Sequence, residues 1–309
     1  MILLLAAALP ALFWDKGPDT APALQQAGYA RILVPPEQMA AWKGVAGIAA
    51  ESADLNGAVK LMPPRVDNRA NQGSASRSPW IDTNGATLLR TPQGRFSYDV
   101  PGPQAAVAAA EAFLYGVPAM VRTDAAGLQP LAQMLEFLRG VNVAPMPLVA
   151  DVGFLDDGTP VAGEVIELMI RNNLQFRVLA SPDRNLKLNV RLGTPEYSLE
   201  DAKNPNVVAQ KIRTKLTDEK RSVRVYGTYT VVARLTASGG RARVHLLNYG
   251  GVARKVIGVR VRVLGRYSKH QLASAGLPGQ QLLDYTLESN ATELTLPELQ
   301  TYAVVDLSR

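Results

Sequence analysis

Two carboxylates of this chain stand where paired acid/base chemistry could use them. Glu51 ends a short predicted strand, Val45–Ala50, and Asp82 follows a long polar loop at 65–79. Cleavage of a glycosidic bond needs two carboxyl groups that face the same bond, one to protonate the leaving oxygen and one to attack or to activate water. We predict that Asp82 is the acid/base of such a pair and that Glu51 is the nucleophile or water activator.

Side chains on either side of Asp82 are suited to holding a sugar. Trp80 could stack on a sugar ring. Hydrogen bonds to its hydroxyl groups could come from Arg77, Asn84 and Arg90. A long loop inside a compact domain is often functional, which favours this interpretation. The alternative is that D-T-N-G is an ordinary turn sequence and that Asp82 only forms the turn.

Three further aspartates have structural interpretations that we favour. Asp151 lies between apolar residues of a predicted strand, where a carboxylate must be paired or belong to a site. Asp156 and Asp157 end that strand just before a helix, where ligands of open α/β sheets bind. Turn formation and a favourable interaction with the helix dipole explain both without a ligand.

The chain lacks the residues that most other catalytic and metal-binding chemistries require. The chain has no Cys and only two histidines, His245 and His270, so thiol nucleophiles and disulfides are excluded and a multi-histidine metal site nearly so. His245 alternates with apolar residues on a predicted strand, which favours a structural role. No G-x-G-x-x-G or phosphate-binding loop occurs, so nucleotide binding has no support. We predict no metal and no cofactor.

The positive charge of the chain is mild and scattered. The formal net charge is +6, and Lys and Arg are densest at 211–215, 220–224 and 254–266. Aromatic residues make up 6% of the chain, too few to interleave with these groups as a nucleic-acid surface requires. We predict no nucleic-acid partner, and we retain binding of acidic polymers by the basic C-terminal region as an alternative.

The stretch Leu148–Ser181 predicts the β-α-β unit around which the α/β part is organised. Its first strand ends in a D-D-G turn, after which Thr159 suits a helix N-cap and Pro160 the first helical position. Apolar residues at helical spacing follow, and a strand resumes at Phe176. A crossover of this length implies parallel strands joined by a right-handed connection.

The hydrophobic period divides the rest of the chain. Strands and helices alternate up to Gly227, which predicts an α/β domain with a mostly parallel sheet. Its predicted strands include Arg31–Val34, Ala86–Arg90, Arg95–Val100 and Ala119–Thr123, and its predicted helices include Gln104–Tyr115 and Leu128–Arg139. From Thr228 the period is two, and Gly239-Gly240 suits a tight hairpin, which predicts a small β-sandwich. The predicted domains are therefore 12–227 (α/β) and 228–309 (β-sandwich).

The first residues, 1–11, have the apolar run and the small-residue end of a signal peptide, although a positive start is missing. This run is too short for a membrane span, which needs about 20 residues. We predict export, to the periplasm or the medium, and no membrane span. The alternative is a buried first strand or helix.

The order of these elements resembles the accessory half of bacterial beta-galactosidase-like glycoside hydrolases. In that family an α/β trimerisation domain, itself similar to class I glutamine amidotransferases and of flavodoxin type, precedes a C-terminal β domain. The segments that carry the resemblance are Val149–Gly158, Gly163–Ser181, Val244–Tyr249 and Leu296–Leu307. The resemblance implies a carbohydrate partner and a homo-oligomer.

Two parts of that family's pattern do not fit this chain. The amidotransferase nucleophile is a Cys, which the chain lacks, so glutaminase chemistry is excluded. The catalytic carboxylates of such hydrolases lie on a (β/α)₈ barrel of about 250 residues, more than precede the β-α-β unit here. We therefore predict an exported carbohydrate-active protein related to glycoside hydrolases, which hydrolyses or binds a glycan. The alternative is a non-catalytic binding or oligomerisation module with a degenerate hydrolase-like fold.

Overall fold

The protein divides into two compact units, each built from two separate stretches of chain. A computed structural model describes residues 9–68, 79–143 and 145–309. Unit 1 comprises Met1–Arg65 and Thr91–Pro145, and unit 2 comprises Val66–Arg90 and Met146–Arg309. The predicted domain boundary after residue 227 stays a prediction.

The elements alternate as the sequence predicts for an α/β chain and then become strands alone. The first strands are β1 (Ala11–Leu12), β2 (Arg31–Val34), β3 (Ala49–Ser52), β4 (Val59–Leu61), β5 (Arg65–Asn68), β6 (Pro79–Asp82), β7 (Phe96–Val100), β8 (Ala119–Thr123), β9 (Val152–Leu155), β10 (Phe176–Leu179) and β11 (Leu188–Arg191). The helices are α1 (Ala21–Gln26), α2 (Met39–Trp42), α3 (Gly85–Arg90), α4 (Gly102–Tyr115), α5 (Leu128–Val141), α6 (Pro160–Arg171), α7 (Leu199–Ala202) and α8 (Pro205–Leu216). The later strands are β12 (Val223–Tyr226), β13 (Val231–Ser238), β14 (Arg241–Asn248), β15 (Val256–Leu264), β16 (Lys269–Ser274), β17 (Asp284–Leu287), β18 (Ala291–Leu299) and β19 (Tyr302–Ser308).

Unit 1 is built on parallel strands. One sheet has the order β1-β8-β7-β4, and β2 pairs with β3, also in parallel. Phe13 joins the two sheets, because it forms a parallel bridge with Leu33 while its amide donates to the Val121 carbonyl at 2.9 Å. Helix α4 packs on β7 and β8 and against α5. The parallel α/β architecture predicted for this part of the chain is therefore confirmed.

The β-α-β unit of unit 2 forms as predicted. Strands β10, β9 and β11 pair in parallel in that order, with Phe176 opposite Val152. The Thr159 hydroxyl caps α6 by accepting from the Ala162 amide at 3.2 Å, and Pro160 occupies the first helical position. The local sequence is sufficient to predict the start of this helix, because the capping residue, the amide that it accepts from and Pro160 all lie within one helical turn.

Residues 85–90 form helix α3 and not the strand predicted for Ala86–Arg90. The Thr83 hydroxyl accepts from the Gly85 amide at 2.7 Å, and the Glu167 carboxylate accepts from the Ala86 amide at 2.8 Å. A helix starts where such acceptors satisfy its first N–H groups. Glu167 lies 81 residues away in sequence, so no local pattern could reveal it.

The C-terminal strands form two antiparallel sheets around one core. Their orders are β12-β15-β18-β17 and β13-β14-β19-β16. Alternate residues of both sheets meet in a common apolar core that includes Val261, Leu294, Val244 and Val305. The predicted all-β region is therefore confirmed, and it includes β12, which precedes the predicted boundary. Among the described residues, no helix is long and apolar enough to cross a membrane.

Candidate functional site

The two predicted catalytic carboxylates belong to different compact units. Glu51 lies in β3 of unit 1, and its Oε1 is 3.1 Å from Nε of Arg31 on the neighbouring strand. Asp82 ends β6 in unit 2. The pairing of Asp82 with Glu51 across one substrate bond stays a prediction.

The predicted sugar platform, Trp80, is covered on one ring face by an arginine. Trp80 and Asp82 lie on the same side of β6, since the side chain between them, Ile81, is 1% exposed. The guanidinium carbon of Arg171 lies 3.8 Å from the centre of the Trp80 ring, and Arg171 Nε donates to the Ile81 carbonyl at 2.9 Å. The ring face covered by Arg171 is not available for stacking on a sugar.

Two of the residues predicted to bind sugar hydroxyl groups are bonded to or buried by the protein itself, namely Arg90 and Asn84. Arg90 donates to both carboxylate oxygens of Asp156, from Nε at 2.8 Å and from Nη2 at 2.7 Å, and to the Thr159 carbonyl at 2.9 Å. These bonds tie the end of α3 to the turn before α6. Asn84 is only 7% exposed and offers little surface to a ligand. The third residue, Arg77, lies outside the described residues.

The aspartates for which we favoured structural roles are satisfied by protein groups. Asp151, 1% exposed, accepts from Lys187 Nζ at 2.7 Å and from the Ser222 amide and hydroxyl at 2.8 Å and 2.6 Å. The hydrogen bond from the Thr159 hydroxyl, helped by that from its amide, lowers the pKa of Asp157. A turn and a helix start account for these carboxylates without a ligand.

A cluster of charged side chains that the sequence analysis missed lies on the parallel sheet of unit 1. We call it the sheet-edge cluster and define it as Asp15, Lys60, Asp99 and Arg122. Asp99 of β7 and Arg122 of β8 are direct partners in the parallel register, so their side chains share one face of the sheet. Lys60 comes from the adjoining strand β4, and Asp15 follows β1.

The cluster lies on the face of the sheet that is turned away from α4. Tyr98 points toward that helix, because its hydroxyl donates to Glu111 of α4 at 2.8 Å. Successive side chains of a strand alternate, so the next residue, Asp99, points the other way. Asp99 and Arg122 are each the penultimate residue of their strands, near the carboxyl ends where parallel α/β sheets bind ligands.

Arg122 bridges two carboxylates that are distant in sequence. Its Nη1 donates to Asp15 Oδ2 at 2.9 Å, and its Nη2 donates to Asp99 Oδ2. Lys60 Nζ lies 4.0 Å from the same oxygen of Asp99. The side chains of Asp15 and Arg122 are each 36% exposed, that of Asp99 is 41% exposed, and that of Lys60 is 74% exposed. A ligand could therefore reach every member.

The electrostatics of the cluster keep Asp99 ionised. The hydrogen bond from Arg122 lowers the pKa of Asp99, and the charges of Arg122 and Lys60 add to this, while partial burial opposes it. The same hydrogen bond raises the pKa of Arg122. With two carboxylates facing two cations, the cluster offers acceptors and donors side by side without a net charge.

The sequence did hold a signal for part of this cluster. F-S-Y-D-V and A-M-V-R-T are both predicted as strands, and each places a charged residue in the fourth position among apolar ones. Parallel pairing of these strands in register would have brought Asp99 beside Arg122. Asp15 could not be found in the same way, because no strand is predicted directly before it.

A concave surface lies along α8 in unit 2. It is an open cleft of about 560 Å³ lined by Glu196, Tyr197, Asn206, Val207, Gln210, Lys211, Thr214 and Lys215. Tyr197 is 2% exposed, and burial together with the Glu196 charge raises its pKa to about 12. The hydroxyl of Tyr197 has no hydrogen-bond partner among the described residues. Within the same ranges, no group of three or more His, Asp or Glu side chains could hold a metal ion.

The comparison with solved structures bears on the fold. Alpha-L-fucosidase isoenzyme 2 from Paenibacillus thiaminolyticus matches with a TM-score of 0.54 and 9% sequence identity, over 72% of this chain and 62% of the fucosidase chain. A GH30 endoxylanase from Clostridium papyrosolvens C71 matches with 10% identity over 98% of this chain and 96% of the endoxylanase chain. An alpha-amylase from H.orenii matches with 13% identity over 94% of this chain and 63% of the amylase chain. Their TM-scores of 0.24 and 0.21 are too low to carry an argument.

No protein-family model and no curated protein sequence matches the chain. The match to the fucosidase, which extends over less than two thirds of that enzyme, concerns the fold alone at such low identity. The chain thus has a fold similar to that of a glycoside hydrolase.

Proposed function

We propose that this protein binds a carbohydrate through the sheet-edge cluster on its glycoside hydrolase-like fold. The observation that carries the proposal is the bridge from Arg122 to both Asp15 and Asp99 near the carboxyl ends of parallel strands. The strand ends of an α/β sheet are its usual ligand-binding edge.

The chemistry of the cluster suits neighbouring hydroxyl groups of a sugar. A hydroxyl both donates and accepts, a carboxylate only accepts, and a guanidinium or ammonium only donates. Asp99 beside Arg122, with Lys60 next to them, can therefore satisfy both functions of adjacent hydroxyls. Because the cluster carries no net charge, it favours a neutral sugar over an ionic ligand.

Asp99 does not suit the role of the proton-donating acid of a glycosidase. A glycosidase needs one carboxylic acid that keeps its proton near neutral pH, which requires a raised pKa. Arg122 shifts the pKa of Asp99 in the opposite direction. Hydrolysis is the alternative function, and it would use the pair predicted from the sequence, Asp82 as acid/base and Glu51 as nucleophile or water activator.

A glycan array combined with an aryl-glycoside hydrolysis screen tests the proposal. Wild type, Asp99→Asn and Asp82→Asn are compared, with Asp284→Asn as the control because Asp284 is an exposed residue of β17. We expect glycan binding without hydrolysis by the wild type and the control, and weakened binding by Asp99→Asn.

Hydrolysis that is lost in Asp82→Asn would support the enzymatic alternative instead. Absence of both binding and hydrolysis with wild-type protein would overturn the carbohydrate proposal, and the role of an oligomerisation module would remain.

We also propose that the protein is exported, that it forms a homo-oligomer, and that it is related to beta-galactosidase-like enzymes. Export to the periplasm or the medium rests on the apolar segment 1–11 and is checked by N-terminal sequencing of protein recovered outside the cytoplasm. Self-association, as a homo-oligomer, is checked by light scattering after gel filtration. A specific kinship with beta-galactosidase-like enzymes, including a flavodoxin-type trimerisation unit, rests only on the sequence resemblance described above.

A further inference from the structure

Two arginines lie directly opposite each other on the outer face of the C-terminal sandwich. Arg224 of β12 and Arg262 of β15 are register partners in the antiparallel pair. Their neighbours Val223, Val261 and Val263 point into the core, so both arginines point outward. Like charges in directly opposite cross-strand positions are destabilising unless something else compensates them.

Two more arginines converge on the same place through one carboxylate. Asp218 Oδ2 is 3.1 Å from Arg224 Nη2, while its Oδ1 is 3.3 Å from Arg221 Nη1 and 3.5 Å from Arg213 Nε. Three guanidinium groups thus share a single aspartate. We call Arg213, Arg221, Arg224 and Arg262 the arginine cluster.

The carboxylates present do not balance this cluster. Arg213, Arg221 and Arg224 have Asp218 as their common acidic partner, and Arg262 has Glu288, whose Oε2 lies 3.4 Å from its Nε. Glu293, the register partner of Arg262 on β18, pairs with Arg260, so two positive charges remain in excess among these side chains. Burial lowers the pKa of Arg221, the contact with Asp218 opposes this, and the charges of Arg213 and Arg224 add to the lowering.

Two of these guanidinium groups are buried with a donor to spare. Arg221 is 5% exposed and Arg262 is 6% exposed. Arg221 donates from Nη2 to the carbonyls of Asn172 and Asn173, at 2.7 Å and 3.2 Å, but its Nε has no acceptor among the described residues. Nη1 of Arg262 likewise has none within those ranges. A buried donor without an acceptor is costly, and a charged one more so.

The cluster is open to solvent and its aspartate is held by an unusual backbone. The side chains of Arg213 and Asp218 are 43% and 29% exposed, so a small ligand could approach from that side. Thr217, the residue before Asp218, has φ 55° and ψ 154°, a conformation that a β-branched residue rarely adopts. Strained backbone of this kind persists where the surrounding structure enforces it, often beside functional groups.

We propose that the arginine cluster binds a compact oxyanion, sulfate or phosphate, either as a free ion or as a substituent of a larger molecule. A tetrahedral oxyanion would neutralise the excess charge, and guanidinium groups are the side chains best shaped to hold one. The inference does not rest on the carbohydrate proposal, because it concerns a different cluster with a different charge.

Isothermal titration calorimetry with inorganic sulfate and with inorganic phosphate, at low and matched ionic strength, tests this inference. Arg224→Gln is the main variant, since Arg221 also supports two backbone carbonyls and its removal could unfold the chain. We expect Arg224→Gln to bind sulfate at least about tenfold more weakly, because it removes a charged donor. Arg254→Gln, which removes an exposed arginine elsewhere in the sandwich, should leave binding unchanged.

Asp218→Asn separates an anion site from a simple ion-pair network. It removes the one carboxylate that competes for three of the guanidinium groups, so sulfate should bind severalfold more tightly to this variant than to the wild type. A sulfated disaccharide that binds more tightly than inorganic sulfate would identify the oxyanion as a substituent, and weaker binding would identify it as a free ion. The inference is overturned if wild type binds neither anion, or if folded Arg224→Gln and Asp218→Asn bind them as the wild type does.

Discussion

At the scale of single residues, the proposed carbohydrate site depends on one guanidinium group. Arg122 holds Asp15, which is 107 residues away in sequence, and Asp99, which is 23 residues away. Strand periodicity could predict that Asp99 and Arg122 are outward residues of their strands. It could not predict their pairing, since that depends on which strands are neighbours and in which register.

The pH dependence of stability tests the ionic contact of Asp99. Arg122 lowers the pKa of Asp99 below its ordinary value of 3.8, so the unfolded chain takes up this proton more readily than the folded one. The contribution of this contact to the free energy of unfolding is therefore complete above pH 3.8, and it is lost as the pH falls through the lower pKa of Asp99 in the folded protein. We expect Arg122→Gln to be less stable than the wild type at neutral pH, and this difference to shrink in acid.

Urea unfolding of both proteins over a series of pH values measures this difference. Arg139→Gln is the control, because Arg139 is more than half exposed and pairs with Glu136, also exposed, three residues before it. A difference in the free energy of unfolding that stayed constant down to the most acid pH would contradict the contact between Arg122 and Asp99.

At the scale of elements, the two helices that face each other in unit 2 show what the sequence can and cannot predict. The start of α6 was predicted from Thr159 and Pro160, since its cap is local. The sequence predicts a strand in place of helix α3, because the Glu167 carboxylate that accepts from the first turn of this helix comes from α6 itself. Tertiary contacts of this kind override weak local preferences in a short segment.

Arg90→Lys tests whether Arg90 serves structure or sugar binding. Arg90 and Asp156 are 23% and 12% exposed, and their two parallel hydrogen bonds need a planar guanidinium, which lysine lacks. We expect a loss of roughly 1–3 kcal/mol in the free energy of unfolding, the cost of leaving part of a mostly buried carboxylate without its donor. Chemical denaturation measures this loss, and the affinity for glycans should not change. A variant of normal stability that no longer binds glycans would instead support the sugar contact predicted from the sequence.

The sandwich contains a histidine that should make it sensitive to acid. Burial, and to a smaller extent the charges of Arg243 and Arg234, lower the pKa of His245 from 6.5 to about 3, while its Nδ1 forms a hydrogen bond of 2.9 Å with the Tyr302 hydroxyl. As the pH falls, the unfolded chain protonates His245 at a higher pH than the folded chain does. The contribution of neutral His245 to the free energy of unfolding is therefore complete above pH 6.5 and falls as the pH decreases toward 3.

Thermal unfolding of wild type and His245→Gln over that pH range checks this expectation. The slope of stability against pH should be flatter in the variant, because glutamine does not titrate. Equal slopes would show that His245 does not contribute to the acid sensitivity of the sandwich.

At the scale of the whole molecule, the change of hydrophobic period predicted the architecture correctly in outline. A parallel α/β part precedes an antiparallel part with its own apolar core, and the fold is similar to that of a fucosidase. The division into compact units was not predictable in the same way. Each unit combines two stretches of chain, and local periodicity contains no information on which distant stretches pack together. For the same reason the sequence alone could not show that Asp15, Asp99 and Arg122 lie together.

The central claim, that the sheet-edge cluster contacts a sugar, is tested most directly by the affinity of Arg122→Gln for a glycan that the array identifies. Titration calorimetry should show at least about tenfold weaker binding than by the wild type, because losing a charged hydrogen-bond donor costs about 1.5–3 kcal/mol. Asp284→Asn should bind as the wild type does. Equal affinity of the wild type and a folded Arg122→Gln would contradict the claim and move the search for the sugar site to Trp80 and Asp82.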